Sequence, residues 1–241
     1  MSKTITILHL YSRDMNIYGD NGNIQALEKR LQWHGYTPVI KEYNPGDTLP
    51  SLEEVDIIIG GGGQDSGQDK IHADLLSIGP ALKKASDSGT PILLVCGLYQ
   101  LFGNKFTTHT GEEIQGIGVF NAHTIGGKER LVGNITIESP AFGTVIGYEN
   151  HSGQTYLADE VEPLGSVIIG AGNNAADGHE GIIQNNTIGT YLHGPILPKN
   201  PVIADYLIGV AAKRRYEEFN EQVIDDSITA RAREAALKRP R

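Results

Sequence analysis

The chain has 241 residues, with 20 lysines and arginines against 29 aspartates and glutamates, and therefore carries a formal net charge of −9. So acidic a chain lacks the clustered cations that non-specific nucleic-acid binding or attachment to an anionic membrane surface requires. It has one cysteine, which excludes an internal disulfide framework and a CxxC zinc site. No apolar run approaches the roughly 20 residues of a membrane-spanning helix. We expect a cytoplasmic globular protein that binds neither nucleic acid nor membrane.

The first half of the chain alternates segments typical of strands with segments typical of helices. A signal peptide is not expected, because no small-residue cleavage site follows the apolar N-terminal run. Strands are predicted at residues 4–11, 38–43, 55–59 and 91–95, and helices at 22–33 and 70–85. The second helix is expected to be interrupted at Gly79-Pro80. This β-α-β order predicts an α/β fold with a central, mostly parallel sheet flanked by helices.

The second half is expected to add antiparallel strands, which are shorter and are separated by glycine and asparagine turns. These strands are predicted at residues 131–138, 144–149, 166–170, 181–183 and 188–191, with a hairpin turn at Asn185-Asn186. Asn200-Pro201 is a typical helix start, and 227–238 is expected to form a polar surface helix. We expect one domain over residues 1–212. A charged helical extension, residues 213–241, would pack on or near it.

Cys96 stands at a predicted corner between strand and helix. A lone cysteine in a cytosolic protein is usually a small buried hydrophobe, but Cys96 directly follows the apolar strand 91–95 and precedes a helical segment that starts at Gly97. Such a corner exposes the side chain above the carboxyl edge of the sheet and favours the thiolate. The Gly97 N–H would then face a developing oxyanion. Leu94 and Leu98 stand two residues either side, where small residues are typical.

Four consecutive glycines, 60–63, follow the predicted strand 55–59 at the same edge of the sheet. A tight turn is the plain interpretation, yet four glycines indicate a backbone that another group approaches closely. A phosphate loop is excluded because no Lys-Ser or Lys-Thr follows the glycines, and the dinucleotide-like run 170–175 is not followed by a helix. We therefore predict that Gly62 and Gly63 lie near Cys96 and supply a second oxyanion donor.

His193 and Arg130 complete the set of candidate residues. His193 lies at a strand end before Gly194-Pro195 and could act as general base for a thiol, although most histidines have no such role. None of the eight histidines has the spacing of a zinc ligand pair, so no metal is expected. Arg130 could bind a carboxylate through a fork of hydrogen bonds, or could simply be solvated.

Together these residues resemble the class I glutamine amidotransferases, in the branch that includes cobyric acid synthases. The resemblance depends on the glycine-rich loop, on Cys96 in V-C-G-L-Y-Q-L-F-G and on Y-L-H-G-P at 191–195. Segments 16–23, 138–144, 147–153 and 191–200 narrow it to glutaminase subunits of lipid II isoglutaminyl synthases.

The resemblance implies a glutaminase without cofactor, in which Cys96 attacks the side-chain amide of L-glutamine and His193 shuttles the proton. Arg130, Gly62, Gly63 and Gly97 would bind the substrate. Ammonia would pass to a separate ATP-dependent subunit similar to Mur ligases (MurT-like), in a heterodimer that amidates D-glutamate in lipid II. A glutaminase for cobalamin-type amidation, or a catalytically weak scaffold for the synthetase, are the alternatives.

The group that orients the histidine is a separate question. Pro195 stands where many class I amidotransferases have a glutamate, so this position offers no carboxylate. Asp20, Glu149 or a backbone carbonyl could replace it, and the spacing selects none of them. We therefore predict that the partner subunit supplies the acid wholly or partly.

Overall fold

The computed structural model describes residues 3–17, 19–63 and 65–239, without the side chains of residues 65, 66 and 69. Tyr18, in the segment 16–23, and Gln64, in the glycine-rich loop, lie outside the described residues. The first half alternates as predicted. In chain order it contains β1 (Thr4–Leu10), α1 (Asn21–Trp33), β2 (Thr37–Tyr43), a 3-10 turn (Leu52–Glu54), β3 (Ile57–Gly60), α2 (Asp65–Asp87), β4 (Ile92–Val95) and α3 (Gly97–Leu101).

The second half is mostly antiparallel, also as predicted, but its strands differ in length from the prediction. It contains β5 (Lys105–Thr107), β6 (Glu113–Gln115), β7 (Ala122–Ser139), β8 (Gly143–Leu157), β9 (Gly165–Ile169), β10 (His179–Glu180), β11 (Ile182–Gln184), β12 (Thr187–Thr190), α4 (Ile196–Lys199), α5 (Pro201–Tyr216) and α6 (Ser227–Leu237). The prediction stopped at the apolar parts of β7 and β8. Backbone pairing extends both strands through glycines and polar residues, from Ser139↔Gly143 to Ala122↔Leu157.

One sheet brings the candidate residues to a common edge. Its strand order is β11-β12-β4-β3-β1-β2, with every neighbouring pair parallel except β11 and β12. Gly60 pairs with Leu94, and Val95 pairs with Thr190, so the carboxyl ends of β3, β4 and β12 are adjacent. Ligand sites in open α/β sheets lie outside this edge of the sheet.

The apolar composition of β4 reflects its central position. All four of its residues are completely buried, as are most apolar residues of the neighbouring strand β3 and of β1 beyond it. A strand covered on both faces by helices needs apolar side chains in both directions, which explains its uninterrupted apolar run. The predicted hairpin is also present, with Asn185 in the left-handed region at φ 55°.

The expectation that α2 is interrupted at Gly79-Pro80 is wrong. The helix runs continuously from Asp65 to Asp87 with Pro80 inside it. Proline removes one helical hydrogen bond, but Leu75, Ile78 and Leu82 are buried around this point. Tertiary packing of this apolar face therefore outweighs the local cost.

The C-terminal region packs on the same body of the protein. Helix α5 continues through residue 212, so the predicted boundary falls inside a helix, and the division itself stays a prediction. Arg233 of α6 donates hydrogen bonds to the backbone oxygens of Lys199 and Thr144, at 2.5 and 2.7 Å. None of the helices in the described part of the chain is long and apolar enough to cross a membrane.

Candidate active site

Cys96 occupies a strained corner between β4 and α3. Its φ is 53°, a left-handed conformation that a residue with a side chain rarely adopts. The Cys96 N–H donates to the Thr190 carbonyl at 2.8 Å, and its own carbonyl accepts from the Gln100 N–H at 3.0 Å. The predicted strand–turn–helix corner is therefore present. Backbone strain of this kind is typical of functional sites.

The large residues beside the corner are accommodated by the neighbouring strand. A Cβ on Gly60 would clash with Leu98 and would lie 3.2 Å from a methyl group of Leu94. Gly60, at the end of β3, thus provides the room that small residues flanking a nucleophile usually provide. Leu94 and Leu98 are fully buried and fit the corner without disturbing it.

His193 lies beside Cys96, immediately beyond β12. Its N–H donates to the Tyr148 carbonyl at 2.9 Å and its carbonyl accepts from the Tyr148 N–H at 3.1 Å, which fixes its backbone against β8. The side chain is 2% exposed. Burial by itself would lower the pKa of His193, but the neighbouring side chains of Asp20 and Cys96 outweigh burial and raise the pKa to about 9. The imidazole is therefore protonated at neutral pH, beside the sulfur of Cys96.

The glycine-rich loop passes directly over this pair. A Cβ on Gly62 would lie 3.1 Å from the Cβ of Cys96 and 3.2 Å from Cε1 of His193. The backbone nitrogen of Gly63 lies 3.3 Å from the position of a Cβ on Gly97. The structure therefore brings all three predicted glycines to Cys96. The Gly62 N–H donates to Asp20 Oδ2 at 2.7 Å.

Arg130 lies farther out, on the hairpin of β7 and β8. It is exposed, next to the irregularity in pairing between Gly126 and Leu131. Its Nε donates to the side-chain oxygen of Asn150 at 2.6 Å, and Nη2 donates to the Asn150 carbonyl at 3.3 Å. Arg130 is thus held on the hairpin by Asn150, the residue before His151.

His151 lies on β8, between the His193 site and the part of the hairpin that carries Arg130. The sequence analysis did not select it as a candidate. Its ring is stacked on Tyr191 with 3.6 Å between centroids, and Nδ1 donates to the Gly153 carbonyl at 2.7 Å. Burial, together with the nearby charges of His193 and Arg130, lowers its pKa to about 4, so the ring is neutral. Residues 147, 149, 151, 153 and 155 are buried and lie on the inner face of β8. The two-residue period of a strand, extended past residue 149, would have placed His151 on this face.

Two buried glutamates support the backbone around the site. The Glu180 carboxyl accepts from the Thr190 hydroxyl at 2.5 Å and from the Tyr191 N–H at 2.9 Å. Complete burial raises its pKa to about 7. The Glu149 carboxylate accepts from the N–H groups of Ala171 and Gly172, both at 2.9 Å. No group of three or more histidine, cysteine or acidic residues that could hold a metal occurs in the described ranges.

A scan against family models matches residues 6–201 to the CobB/CobQ-like glutamine amidotransferase domain. This match covers the glycine-rich loop, the Cys96 corner and His193. The chain belongs to this family.

Two relatives of similar sequence are each named as a subunit of lipid II isoglutaminyl synthase. The GatD subunit of lipid II isoglutaminyl synthase (glutamine-hydrolyzing) from Staphylococcus aureus is 40% identical over 235 residues, covering 98% of this chain and 96% of that protein. Its namesake from Streptococcus pneumoniae is 37% identical over 88% of this chain and 82% of that protein. A glutamine amidotransferase crystal structure from Thermotoga maritima superposes with a TM-score of 0.53 at 13% identity, covering 96% of this chain and 93% of that one, which supports the fold.

Proposed function

We propose that this protein is the glutaminase subunit of a lipid II isoglutaminyl synthase. It would hydrolyse L-glutamine to glutamate and ammonia and deliver the ammonia for amidation of D-glutamate to D-isoglutamine in lipid II. The observation that carries the proposal is the strained Cys96 corner with a buried, protonated His193 beside it. The whole-length similarity to two subunits with this name supports the choice of pathway over cobalamin-type amidation.

The first half-reaction begins with the thiolate of Cys96, which attacks the side-chain amide carbon of glutamine. The negative charge moves to the amide oxygen, where the N–H groups of Gly97 and Gly63 would stabilise it. The His193 imidazolium gives its proton to the leaving nitrogen, and ammonia departs. A γ-glutamyl thioester on Cys96 remains.

The second half-reaction is hydrolysis of the thioester. The imidazole, now neutral, takes a proton from water, and the resulting hydroxide attacks the thioester carbonyl. Glutamate leaves and the thiolate of Cys96 and the imidazolium of His193 are restored. His193 thus serves as general acid in the first half-reaction and as general base in the second. Arg130 would hold the α-carboxylate of glutamine during both steps.

The partner we propose is an ATP-dependent, Mur-ligase-like (MurT-like) synthetase subunit in a heterodimer with this chain. Both GatD relatives are named as subunits, which supports a partner. The chain itself has no phosphate-binding G-x-x-x-x-G-K-[ST] motif, so ATP chemistry is assigned to the other subunit. We propose that the complex acts in the cytoplasm, where glutamine and ATP are available.

The test is a nitrogen-tracing experiment with the purified chain and a Mur-ligase-like subunit of the same genome. Glutamine labelled with ¹⁵N at the side-chain amide is supplied with ATP and lipid II, and both glutamate release and the label in the stem peptide are measured. We expect labelled D-isoglutamine only when both subunits are present. Amidation from added ammonium salts without any glutamate release from glutamine would instead identify a scaffold.

A further inference from the structure

Asp20 places a buried carboxylate at the imidazole of His193. Its Oδ1 lies 3.6 Å from His193 Nδ1, and the two side chains are 1% and 2% exposed. Asp20 is one of the internal groups that could replace the acid missing at Pro195, and it lies beside the histidine. Glu149 instead uses its carboxylate on the backbone N–H groups of residues 171 and 172.

The relative position of Asp20 and His193 is held by packing between the segments that follow these two residues. Asp20 directly precedes α1, and Pro195 and Leu197 follow His193. A Cβ on Gly22 would clash with the Pro195 ring. Asn23 accepts the Leu197 N–H at 2.9 Å. The first turn of α1 is thus in direct contact with the segment that follows the histidine, and Pro195 has a packing role in place of a carboxylate.

The glycine-rich loop completes the surroundings of this carboxylate. The Gly62 N–H donates to Asp20 Oδ2 at 2.7 Å. A Cβ on Gly61 would lie only 2.7 Å from both Cβ and Oδ2 of Asp20. Asp20 is therefore one of the groups that closely approach the backbone of the glycine-rich loop.

The energetics of burial favour a pairing with the imidazolium. The buried Asp20 carboxylate has lost its hydration, and the hydrogen bond from the Gly62 N–H compensates for only part of that free energy. A protonated His193 next to Oδ1 offsets that cost. The same contact fixes the imidazole so that its Nδ1 faces Asp20, which leaves Nε2 for the thiol and the substrate.

We propose that Asp20 is the positioning residue of the Cys96–His193 pair, so that this chain contains its own orienting acid. The proposal rests on the proposed glutaminase function and deepens it. Asp20, Cys96 and His151 are among the titratable groups that act on His193. Asp20 also acts on His9, whose pKa is lowered by burial.

The decisive variant is Asp20→Asn, which keeps an oxygen for the Gly62 N–H and removes the charge. The matched control is Asp14→Asn in the same loop, where Asp14 pairs with Lys70 at 3.3 Å. The pKa of His193 is read from ¹⁵N chemical shifts of labelled histidines, with a His193→Gln sample for assignment. Glutaminase kcat and KM are measured for the same proteins in complex with the synthetase subunit.

We expect Asp20→Asn to lower the pKa of His193 by about 1 unit or more, because a neighbouring anion is lost. In the complex, kcat should fall about 100-fold or more with little change in KM. Asp14→Asn should match the wild type in both measurements. If Asp20→Asn does not fold, Asp20→Ser, which also removes the charge, is measured in its place.

An unchanged His193 titration in the folded variant would overturn the proposal, and so would an unchanged kcat in the complex, which would assign the acid to the partner subunit. A fall in kcat without a change in the His193 pKa would show that Asp20 only supports the loop, which also overturns it. Failure of the wild-type complex to release glutamate would count against the proposed function instead. The titration of His193 would still decide the role of Asp20 in that case.

Discussion

The parallel sheet and the antiparallel sheet contribute different kinds of group to the site. Cys96, His193, Asp20 and the glycine-rich loop all follow strands of the parallel sheet, and their side chains are buried within contact of one another. Arg130 lies on the long hairpin of the antiparallel sheet and is exposed. Reacting groups need fixed mutual geometry and exclusion from water, whereas a group that captures a charged substrate needs access to solvent.

This division predicts that substitutions on the two sheets alter different kinetic constants. A change at the edge of the parallel sheet should remove chemistry and lower kcat. A change on the hairpin should weaken substrate capture and raise KM. The predictions below test that division, from the largest expected effect to the smallest.

Cys96→Ser should abolish glutamine hydrolysis, with kcat lower by about three orders of magnitude or more. A serine hydroxyl does not ionise beside the imidazolium of His193 as a thiol does. Glutamate release in the complex is the measurement, and thermal unfolding serves as the control for the fold. If the variant keeps more than roughly a few per cent of the wild-type activity, Cys96 is not the nucleophile.

His193→Ala should be about as damaging as Cys96→Ser, and the double variant should be no worse than either, because the two residues act as one unit. The matched control is His123→Ala on β7, an exposed histidine stacked on Tyr156. It should keep wild-type kcat. Additive losses in the double variant would contradict a shared role for the pair.

Arg130→Ala should lower kcat/KM, mostly by raising KM, because a charge-assisted hydrogen-bond pair to the α-carboxylate is lost. The fall should correspond to roughly 2–4 kcal/mol of binding free energy. Arg130→Lys should also be impaired, since an ammonium cannot form the bidentate fork. Lys128→Ala, an exposed cation in the same segment, is the control and should change little. Unchanged kinetics in Arg130→Ala would mean that the side chain is only solvated.

Glu180→Gln should alter stability and not chemistry, at the place where the two sheets meet. The folded-state pKa of Glu180 is raised to about 7 by burial, from 4.5. Its contribution to stability is therefore fully present below pH 4.5 and is lost as the pH rises through about 7. A glutamine keeps an acceptor for Thr190 and Tyr191 and has no charge to bury.

The measurement is urea unfolding of wild type and Glu180→Gln from about pH 5 to about pH 8. The variant should gain stability relative to the wild type across that interval. The raised pKa of His193 acts in the same direction, from about 6.5 to about 9, but it is common to both proteins and cancels in the comparison. A difference that does not vary with pH would refute the assignment.

Local patterns were sufficient where neighbours in the chain decide the structure. The corner at Cys96 was predictable because an apolar strand and the start of a helix are adjacent in the chain. The lengths of β7 and β8 were not, since their outer parts consist of glycines and polar residues that form strands only through pairing with each other. Helix α2 continues through Pro80 for a similar reason, because buried neighbours outweigh the local preference.

The sequence by itself determined the order of strands and helices in the first half, the nucleophile corner and the set of glycines beside it. These features depend on propensities and apolar spacing within short segments. Only the tertiary structure decided that Asp20 lies beside His193, that His151 is buried against Tyr191, and that Arg130 is exposed beside Asn150. Asp20 and His193 are far apart in the chain. They meet because α1 packs against the segment after β12, and no local pattern contains that contact.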